Sequence, residues 1–448
     1  MFIGIPVYRP LSEVSAVKAA SLIPSLNAEE LLAIQTEGLV KTLEHAFAGS
    51  PQYRAKLKEA GFAPGDVKSL DDLSKLPCTT ADDLREGYPL PLLAVPESEV
   101  VRIHSSSGTT GKRKILAYTR KDVETFALQM ARCFELVGVT RDDRVQVAVG
   151  YGLWTAGVGF QAGIEKLGAM AVPVGAGNLE AHMQMLMDMG TTCLGATASM
   201  ALLMGEEIRR GGLLDSIKLT RVVFGAEGHS PKMRRAFEQN LGLTHGSYDI
   251  GGMTEMNGPG TAIECPAHDG LHYWGDIFIH EVLDPATLRP VEPGEVGELV
   301  VTSLVKEAVP LIRYRTRDLT RLIPGVCPCG CAMPRHDHIM GRSDDMIIFR
   351  GVNIYPGQIA DVLHEFIDLG SEYHMELSRE DGRDEMLLRV ERRPGADAGS
   401  DAGLCKQVAR ALHSRVMVSA SLEIVDPGTL PRSFGKSRRV TDKRFDAA

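Results

Sequence analysis

The chain has 448 residues, 44% of them hydrophobic and 24% charged, with a formal net charge of -9. That length exceeds what one hydrophobic core organises, so two or more domains of an ordinary globular protein are expected. The acidic balance argues against nucleic acid as a main partner, and no apolar run is long enough to suggest a membrane span. The start, Met1-Phe2-Ile3-Gly4-Ile5-Pro6, lacks a basic n-region and does not read as a signal peptide. Eight cysteines are too few for a disulfide framework, so a reducing cytoplasm is the expected setting.

Residues 1–100 read as mostly helical and peripheral. Leu31, Leu32, Ile34, Leu39, Leu43 and Phe47 fall on roughly helical spacing. Thr80 with Asp83 has the form of a capping box that opens a short helix. The stretch that follows carries chemistry. Seven small residues, Ser105 to Gly111, run into Lys112, Arg113 and Lys114. Small side chains let backbone N–H groups approach an anion, and Gly108 and Gly111 allow the angles that a concave nest requires. The hydroxyls of Ser105, Ser106, Ser107, Thr109 and Thr110 add donors, and Lys112 adds a mobile cation for phosphate oxygens. Apolar-rich flanks separate this loop from a flexible Ser/Gly linker. It is not the Walker pattern, which needs Gly-x4-Gly-Lys-Ser/Thr.

Thr119 and Asp122 open a helix whose stripe, Phe126, Met130, Phe134 and Val137, reads as core, and Gly138 ends it. Apolar strands at 145–149, 169–174, 193–196 and 222–224 then alternate with helical segments near 161–168, 180–189, 198–210 and 231–240. This alternation predicts a parallel, doubly wound sheet with ligands beyond the carboxyl ends of its strands. Two turns sit at such ends, Gly150-Tyr151-Gly152-Leu153-Trp154 and Gly225-Ala226-Glu227-Gly228. Next comes Tyr248-Asp249-Ile250-Gly251-Gly252-Met253-Thr254-Glu255, where a carboxylate after a glycine-rich turn suits Mg²⁺ beside phosphates. Strand patterns at 277–282 and 298–302 predict an antiparallel subdomain. Arg313, Arg315, Arg317 and Asp318 lie within six residues; arginines suit phosphate, and a fixed Asp suits two ribose hydroxyls. After Gly341-Arg342-Ser343-Asp344 about 100 residues remain, enough for a small α+β domain. Its expected elements are helices at 356–366 and 404–415 and strands at 372–378, 385–392 and 421–425, with a surface loop over 394–403. Near its end, Lys436 lies in a Gly/Ser loop as a candidate mobile cation.

The order of these motifs resembles the adenylate-forming superfamily of acyl–coenzyme A synthetases, and most closely the phenylacetate–coenzyme A ligase family. The resemblance runs from about residue 30 to 445. It rests on Arg102-Ile103-His104-Ser105-Ser106-Ser107-Gly108-Thr109-Thr110-Gly111-Lys112, on 304–320 around Arg313-Tyr314-Arg315-Thr316-Arg317-Asp318, and on Gly341-Arg342-Ser343-Asp344 through Gly351-Val352-Asn353-Ile354-Tyr355-Pro356. It implies an α/β fold: a large adenylation domain over 1–343, with doubly wound sheets and an antiparallel subdomain, and a small mobile α+β lid over 344–448. It implies that Ser105–Lys112 holds the ATP β- and γ-phosphates. Gly225, Ala226, Glu227, Asp249, Ile250 and Gly251 would lie along the nucleotide, and Ala226 also along the acyl group. Thr254 would contact the α-phosphate, Glu255 would ligate Mg²⁺, Asp318 would accept both ribose hydroxyls, and Arg342 would contact the nucleotide. Asp344 would be the hinge, and Lys436 would enter the site for the first half-reaction only. Trp154, Phe160 and Met253 fit an acyl pocket and a core equally, and Tyr151 is expected to contact the acid.

The implied activity is ATP-dependent activation of an aryl or arylacetic acid to an acyl-adenylate, then transfer to coenzyme A. Two other readings stand beside it: transfer to a carrier-protein thiol or another acceptor, and a non-catalytic nucleotide-binding protein on the same fold. Relatives of this kind are often dimers, so a homodimer is expected. One departure is visible. The family's turn usually reads Asp-Ile-Tyr-Gly, whereas here Gly251 stands where the aromatic would be, and an acid larger than phenylacetate or of different shape is expected. The segment Cys327-Pro328-Cys329-Gly330-Cys331, with Cys265, His268 and His272 upstream, suits tetrahedral Zn²⁺. Some members of the family have a similar Cys-x-Cys-Gly segment paired with an upstream Cys and His. The preferred ligands of this structural site are Cys265, His272, Cys327 and Cys329, with Cys331 and His268 in reserve.

Overall fold

The computed structural model describes residues 21–106, 113–227, 229, 231–344, 347–349, 352–354, 356–380, 383–416, 418–430 and 439–444. Helix α1 (Ala28–Gly49) starts at a capping box between Asn27 and Glu30, and α2 (Pro51–Glu59) follows with Pro51 in its first turn. This part is not peripheral: Leu39 and Leu43 are fully buried and join the main core. Nor do Thr80 and Asp83 open a helix. Asp83 accepts from the Thr80 backbone N–H at 2.7 Å, but the chain beyond is a string of turns. Lys56 pairs with the same carboxylate at 2.7 Å, which ties α2 to this turn.

Strands β1 (Arg102–Ser105) and β2 (Ile115–Tyr118) pair antiparallel on either side of the small-residue loop. Helix α3 (Arg120–Leu136) begins at the Thr119–Asp122 capping box and buries Phe126, Met130 and Phe134. Then come β3 (Arg144–Ala148), α4 (Ala156–Leu167), β4 (Met170–Val172), α5 (Leu179–Asp188) and β5 (Cys193–Thr197). They are followed by α6 (Ala198–Gly211), β6 (Arg221–Gly225), α7 (Pro231–Leu241) and β7 (Ser247–Met253). β3 pairs parallel with β4 and β5, β5 with β6, and β6 with β7. The parallel expectation holds this far. It stops at β8 (Gly258–Glu264), which pairs antiparallel with β7, as β9 (Leu271–Tyr273) does with β8. A connection as short as that between β7 and β8 cannot make the crossover a parallel strand requires. The result is one mixed nine-stranded sheet.

Strands β10 (Phe278–Leu283), β11 (Gly297–Ser303) and β12 (Tyr314–Thr320) form the expected antiparallel subdomain. The hairpin β13 (Leu322–Ile323) and β14 (Arg335–His336) then closes the far edge of the nine-stranded sheet against β9, and β15 (Gly341–Arg342) pairs with β12. Beyond lie the hairpin β16 (Ile347–Phe349) and β17 (Val352–Ile354), α8 (Pro356–Leu363), β18 (Leu369–Glu380), β19 (Arg383–Arg392), α9 (Asp401–Val416), β20 (Ser421–Val425) and β21 (Val440–Asp442). The last four strands make a sheet in the order β20-β19-β18-β21. Ile359, Met375, Leu388 and Leu412 belong to a core of their own there, separate from the main one. Among the described residues no helix is long and apolar enough to cross a membrane.

Candidate active site

The small-residue loop is anchored at its near end and framed at its far one. Ser105 pairs with Ile115 in the β1–β2 register, and its N–H donates to Leu153 O at 2.9 Å. That bond ties the loop to the turn after β3, where the strand order of the sheet reverses and crevices form. The Ser106 N–H donates to Lys114 O at 3.2 Å. Its hydroxyl is buried with no partner among the described residues. A buried donor left open in this way fits a bound anion. Ser107, Gly108, Thr109, Thr110, Gly111 and Lys112 lie outside the described residues.

Beside Lys114, at the described end of that segment, Thr254, Glu255 and Met256 form one 3₁₀ turn between β7 and β8. Glu255 is only 4% exposed. Its carboxylate pairs with the Lys114 ammonium and accepts from the Tyr314 hydroxyl at 2.9 Å. Burial opposes its charge, but Lys114 beside it and the Tyr314 hydroxyl hold it below the ordinary carboxylate value. Neither partner is recognisable from spacing: Lys114 lies 141 residues and Tyr314 59 residues away in the chain.

The turn after β6 approaches the same crevice. A Cβ on Gly225 would stand 2.2 Å from Ile250 O, so no side chain fits there. Ala226 follows at φ +72°, a strained conformation of the kind that persists where surrounding structure enforces it. Glu227 accepts from the Ser199 N–H at the start of α6, which joins the ends of β5 and β6.

Asp318 on β12 faces Arg342 on β15, with Nη1 to Oδ1 at 3.0 Å. The same guanidinium grips Asp344 through two contacts of 2.9 Å. One arginine therefore holds both the expected ribose carboxylate and the expected hinge. The other arginines of this segment point elsewhere. Arg313 pairs with Glu281 and Arg315 with Glu298, at 2.9 and 2.7 Å, inside the antiparallel subdomain. They are structural, not phosphate-binding, because their guanidinium forks are already filled.

Asp249 sits beside a network that spacing does not reveal. Glu264 accepts from the Asp249 N–H at 3.0 Å, from His338 Nε2 at 2.9 Å and from Arg234 Nη1 at 3.1 Å. Burial pushes the Asp249 carboxyl up to about 7. Such a group favours the fold while protonated, and that contribution is lost as pH rises through about 7. That loss runs from about pH 4, the unfolded value, to about 7, so replacing Asp249 with Asn is expected to raise Tm at pH 8 by about 2–6 °C, by less at pH 5 and hardly at all near pH 3.5, read by calorimetry at the three values.

Of the acyl-pocket candidates, Tyr151 and Trp154 are 37% and 38% exposed in the turn after β3, and Met253 is half-buried. Phe160 is different. It is 2% exposed, edge-on to Phe134 with ring centres 5.8 Å apart, and packed on Gly195 of β5. It is a core residue that leaves no face for a ligand. Ile250 is likewise buried. A Cβ on Gly251 would meet Leu271 Cδ2 at 3.3 Å, so a larger side chain fits only if that methyl yields.

Cys265, His272, Cys327 and Cys329 converge with their ligand atoms all within 4.8 Å of one another, a buried group that could hold a metal ion. Cys265 Sγ lies 3.5 Å from Cys327 Sγ, and Cys329 Sγ 3.3 Å from His272 Nε2. His272 Nδ1 donates to Met333 O at 2.7 Å, which turns the Nε2 lone pair toward the thiols. The reserves fall outside this group. His268 stacks on Tyr248 instead, and the Cys331 N–H donates to Cys329 Sγ at 3.4 Å.

Residues 20–304 match the family model of AMP-binding enzymes, and 351–444 match that of the AMP-binding enzyme C-terminal domain. The protein is thus an AMP-binding enzyme. The phenylacetate–coenzyme A ligase of Escherichia coli (strain K12) is 42% identical over 428 residues, covering 94% of this chain and 97% of that protein. The chain belongs to the phenylacetate–coenzyme A ligase family. Among solved structures, 2-hydroxyisobutyryl-CoA ligase in the postadenylation state with 2-HIB-AMP superimposes with a TM-score of 0.85 at 31% identity, covering 98% of this chain and 95% of that one. The same enzyme in the thioesterification state with 2-HIB-AMP and CoA gives 0.70 at 31% identity, covering 99% and 96%.

Proposed function

We propose that the protein activates phenylacetate or a close arylacetic analogue, and that the residues gathered above divide the work. The overall reaction is that of an AMP-forming acid–thiol ligase. An acid and ATP form an acyl-adenylate and pyrophosphate, and the thiol of coenzyme A then displaces AMP. The observation that carries the site assignment is the buried, charged Glu255 paired with Lys114 at the described end of the small-residue segment, with Asp318 and Arg342 held together.

In this reading Ser105–Lys112 holds the β- and γ-phosphates, and the open Ser106 hydroxyl is one of its donors. Thr254 contacts the α-phosphate. Glu255 would hold Mg²⁺, which when bound supplies positive charge to the phosphate oxygens. Gly225, Ala226, Glu227, Asp249, Ile250 and Gly251 border the nucleotide, and Asp318 takes the ribose hydroxyls while Arg342 keeps it aimed. Tyr151, Trp154, Ala226 and Met253 border the acid. Charge that develops during attack on the α-phosphate is met by fixed cations, Lys436 among them; Lys436 lies outside the described residues. Residues 1–343 form the adenylation domain and 344–448 the lid, which turns about Asp344. The grip of Arg342 on Asp344 would have to change in that rotation.

The Cys3His group fits zinc. A tetrahedral ion with Zn–S bonds of about 2.3 Å sets its ligand atoms about 3.3–3.8 Å apart, and two of the pairs here measure 3.5 and 3.3 Å. Four protein donors leave no open position, so the site is structural. The eight free thiols agree with a cytoplasmic setting, and a homodimer is carried as part of the proposal.

The testing experiment is acid-dependent pyrophosphate release from Mg-ATP across arylacetic, aromatic and aliphatic acids, with and without coenzyme A. Turnover with arylacetic acids that becomes catalytic only with coenzyme A is expected. Release indifferent to coenzyme A would favour a carrier-protein or other acceptor, and silence across the panel a nucleotide-binding protein. Gly251→Tyr is expected to shift the preference toward smaller acids by about tenfold in kcat/KM; an unchanged ranking would remove Gly251 from the pocket.

A further inference from the structure

We infer that Lys306 is a positioning residue for the activation step: together with Tyr118 and Gln129 it fixes the backbone of the 254–257 turn and so aims Glu255. This inference deepens the proposed role of Glu255 and rests on it.

A single 3₁₀ turn leaves its carbonyls without helical partners. Here side chains from three other elements take them in succession. The Tyr118 hydroxyl, on β2, donates to Thr254 O at 3.0 Å. Lys306 Nζ, in the segment after β11, donates to Glu255 O at 2.8 Å. Gln129 Nε2, on α3, donates to Met256 O at 3.2 Å and to Asn257 O at 3.4 Å. The clamp also holds Asn257 at φ +65°, the left-handed residue that reverses the chain into β8.

Lys306 stands apart from its two companions because it carries charge. It is only 3% exposed, and a fully buried lysine is rare because removing an ammonium from water is costly. A neutral donor would satisfy one carbonyl. Burial disfavours its charge, and the surroundings offset part of that cost. Its ammonium lies 4.8 Å from the centre of the Tyr118 ring. The segment that carries it is fixed by Asp122, whose carboxylate accepts from the Glu307 and Ala308 N–H groups at 2.7 and 2.9 Å. Glu255 is thus held at both ends. Lys114 and Tyr314 meet its carboxylate on the crevice side, and Lys306 meets its carbonyl on the sealed side. A ligand arriving in the crevice competes with Lys114 but cannot reach Lys306.

Two variants test this. Lys306→Met keeps the unbranched stem, one atom shorter, and removes donor and charge; Tyr118→Phe removes one hydroxyl from the same clamp. Each is read in four ways: pyrophosphate release from Mg-ATP and phenylacetate, thioester formation from supplied phenylacetyl-adenylate and coenzyme A, Mn²⁺ binding with a non-hydrolysable ATP analogue by electron paramagnetic resonance, and Tm. Pyrophosphate release is expected to fall about 30–300-fold in Lys306→Met and about 3–10-fold in Tyr118→Phe, with KM for ATP within about threefold. Mn²⁺ affinity should fall at least about threefold in Lys306→Met, while thioester formation stays within about threefold of the parent. Parallel loss of both half-reactions together with a lower Tm would assign Lys306 to the core and overturn the inference, as would no loss in either. If Lys306→Met does not fold, Tyr118→Phe decides by the same split between the half-reactions. A parent protein that releases no pyrophosphate with any acid would overturn the activity reading, and the Mn²⁺ measurement would still judge Lys306.

Discussion

Replacing Glu255 with glutamine is expected to slow acid-dependent pyrophosphate release by about 10²–10³-fold, with thioester formation from supplied acyl-adenylate changed far less. Glutamine has the shape of glutamate and can still accept from the Tyr314 hydroxyl, so the substitution removes charge rather than packing. The carboxylate is 4% exposed, and in so dry a place a fixed charge counts for more than it does in water. A preorganised group of this kind is worth about 2.7–4 kcal/mol to a transition state, which is the origin of the expected range. The variant also leaves the Lys114 ammonium facing a neutral amide. Rapid-quench measurement of pyrophosphate over a range of Mg²⁺ checks the result. A change below about threefold at every Mg²⁺ concentration, limiting as well as saturating, would remove Glu255 from the metal-binding role.

Replacing Cys329 with serine is expected to release bound zinc and to lower Tm by about 5–15 °C. Serine nearly preserves volume but offers no thiolate, so a four-ligand site loses one corner and the remaining three donors hold zinc poorly. The consequence extends beyond the ion. Cys265 follows β8, His272 lies on β9, and Cys327 and Cys329 lie between β13 and β14. The ion would therefore staple the last hairpin of the nine-stranded sheet to its neighbours. From that hairpin the chain runs directly to β15, where Arg342 meets Asp318. Loosening it should raise KM for ATP about 3–10-fold as well. Elemental analysis of the parent and the variant, with calorimetry, checks both parts. Less than about a tenth of an equivalent of zinc in the parent, or equal Tm values, would count against the site.

Local rules of sequence carry well wherever a segment's neighbours lie within one helical turn or one strand. The Thr119–Asp122 box and the stripe from Phe126 to Phe134 depend on contacts three or four residues apart, and α3 starts and packs as that spacing predicts. The alternation from β3 to β7 is equally legible, since parallel strands need long crossovers and those crossovers are the helices. At Thr80 and Asp83 the same box forms, yet the chain beyond makes turns instead of a helix, and the carboxylate also pairs with Lys56 of α2.

What the order of residues by itself determined is the family, the strand–helix alternation of the large domain, a small domain with its own hydrophobic pattern, and which short segments carry chemistry. These follow from neighbours along the chain or from motifs read in order. The tertiary structure decided which of those side chains meet. It gave Glu255 its partners Lys114, Tyr314 and Lys306, spent Arg313 and Arg315 on Glu281 and Glu298, and put Phe160 into the core. It also chose four metal-ready donors from a longer run of cysteines and histidines. The reason is physical. A buried charge must find an opposite charge or a donor wherever the fold places one, and the distance along the chain to that partner, 141 residues for Lys114 and Glu255, leaves no local trace.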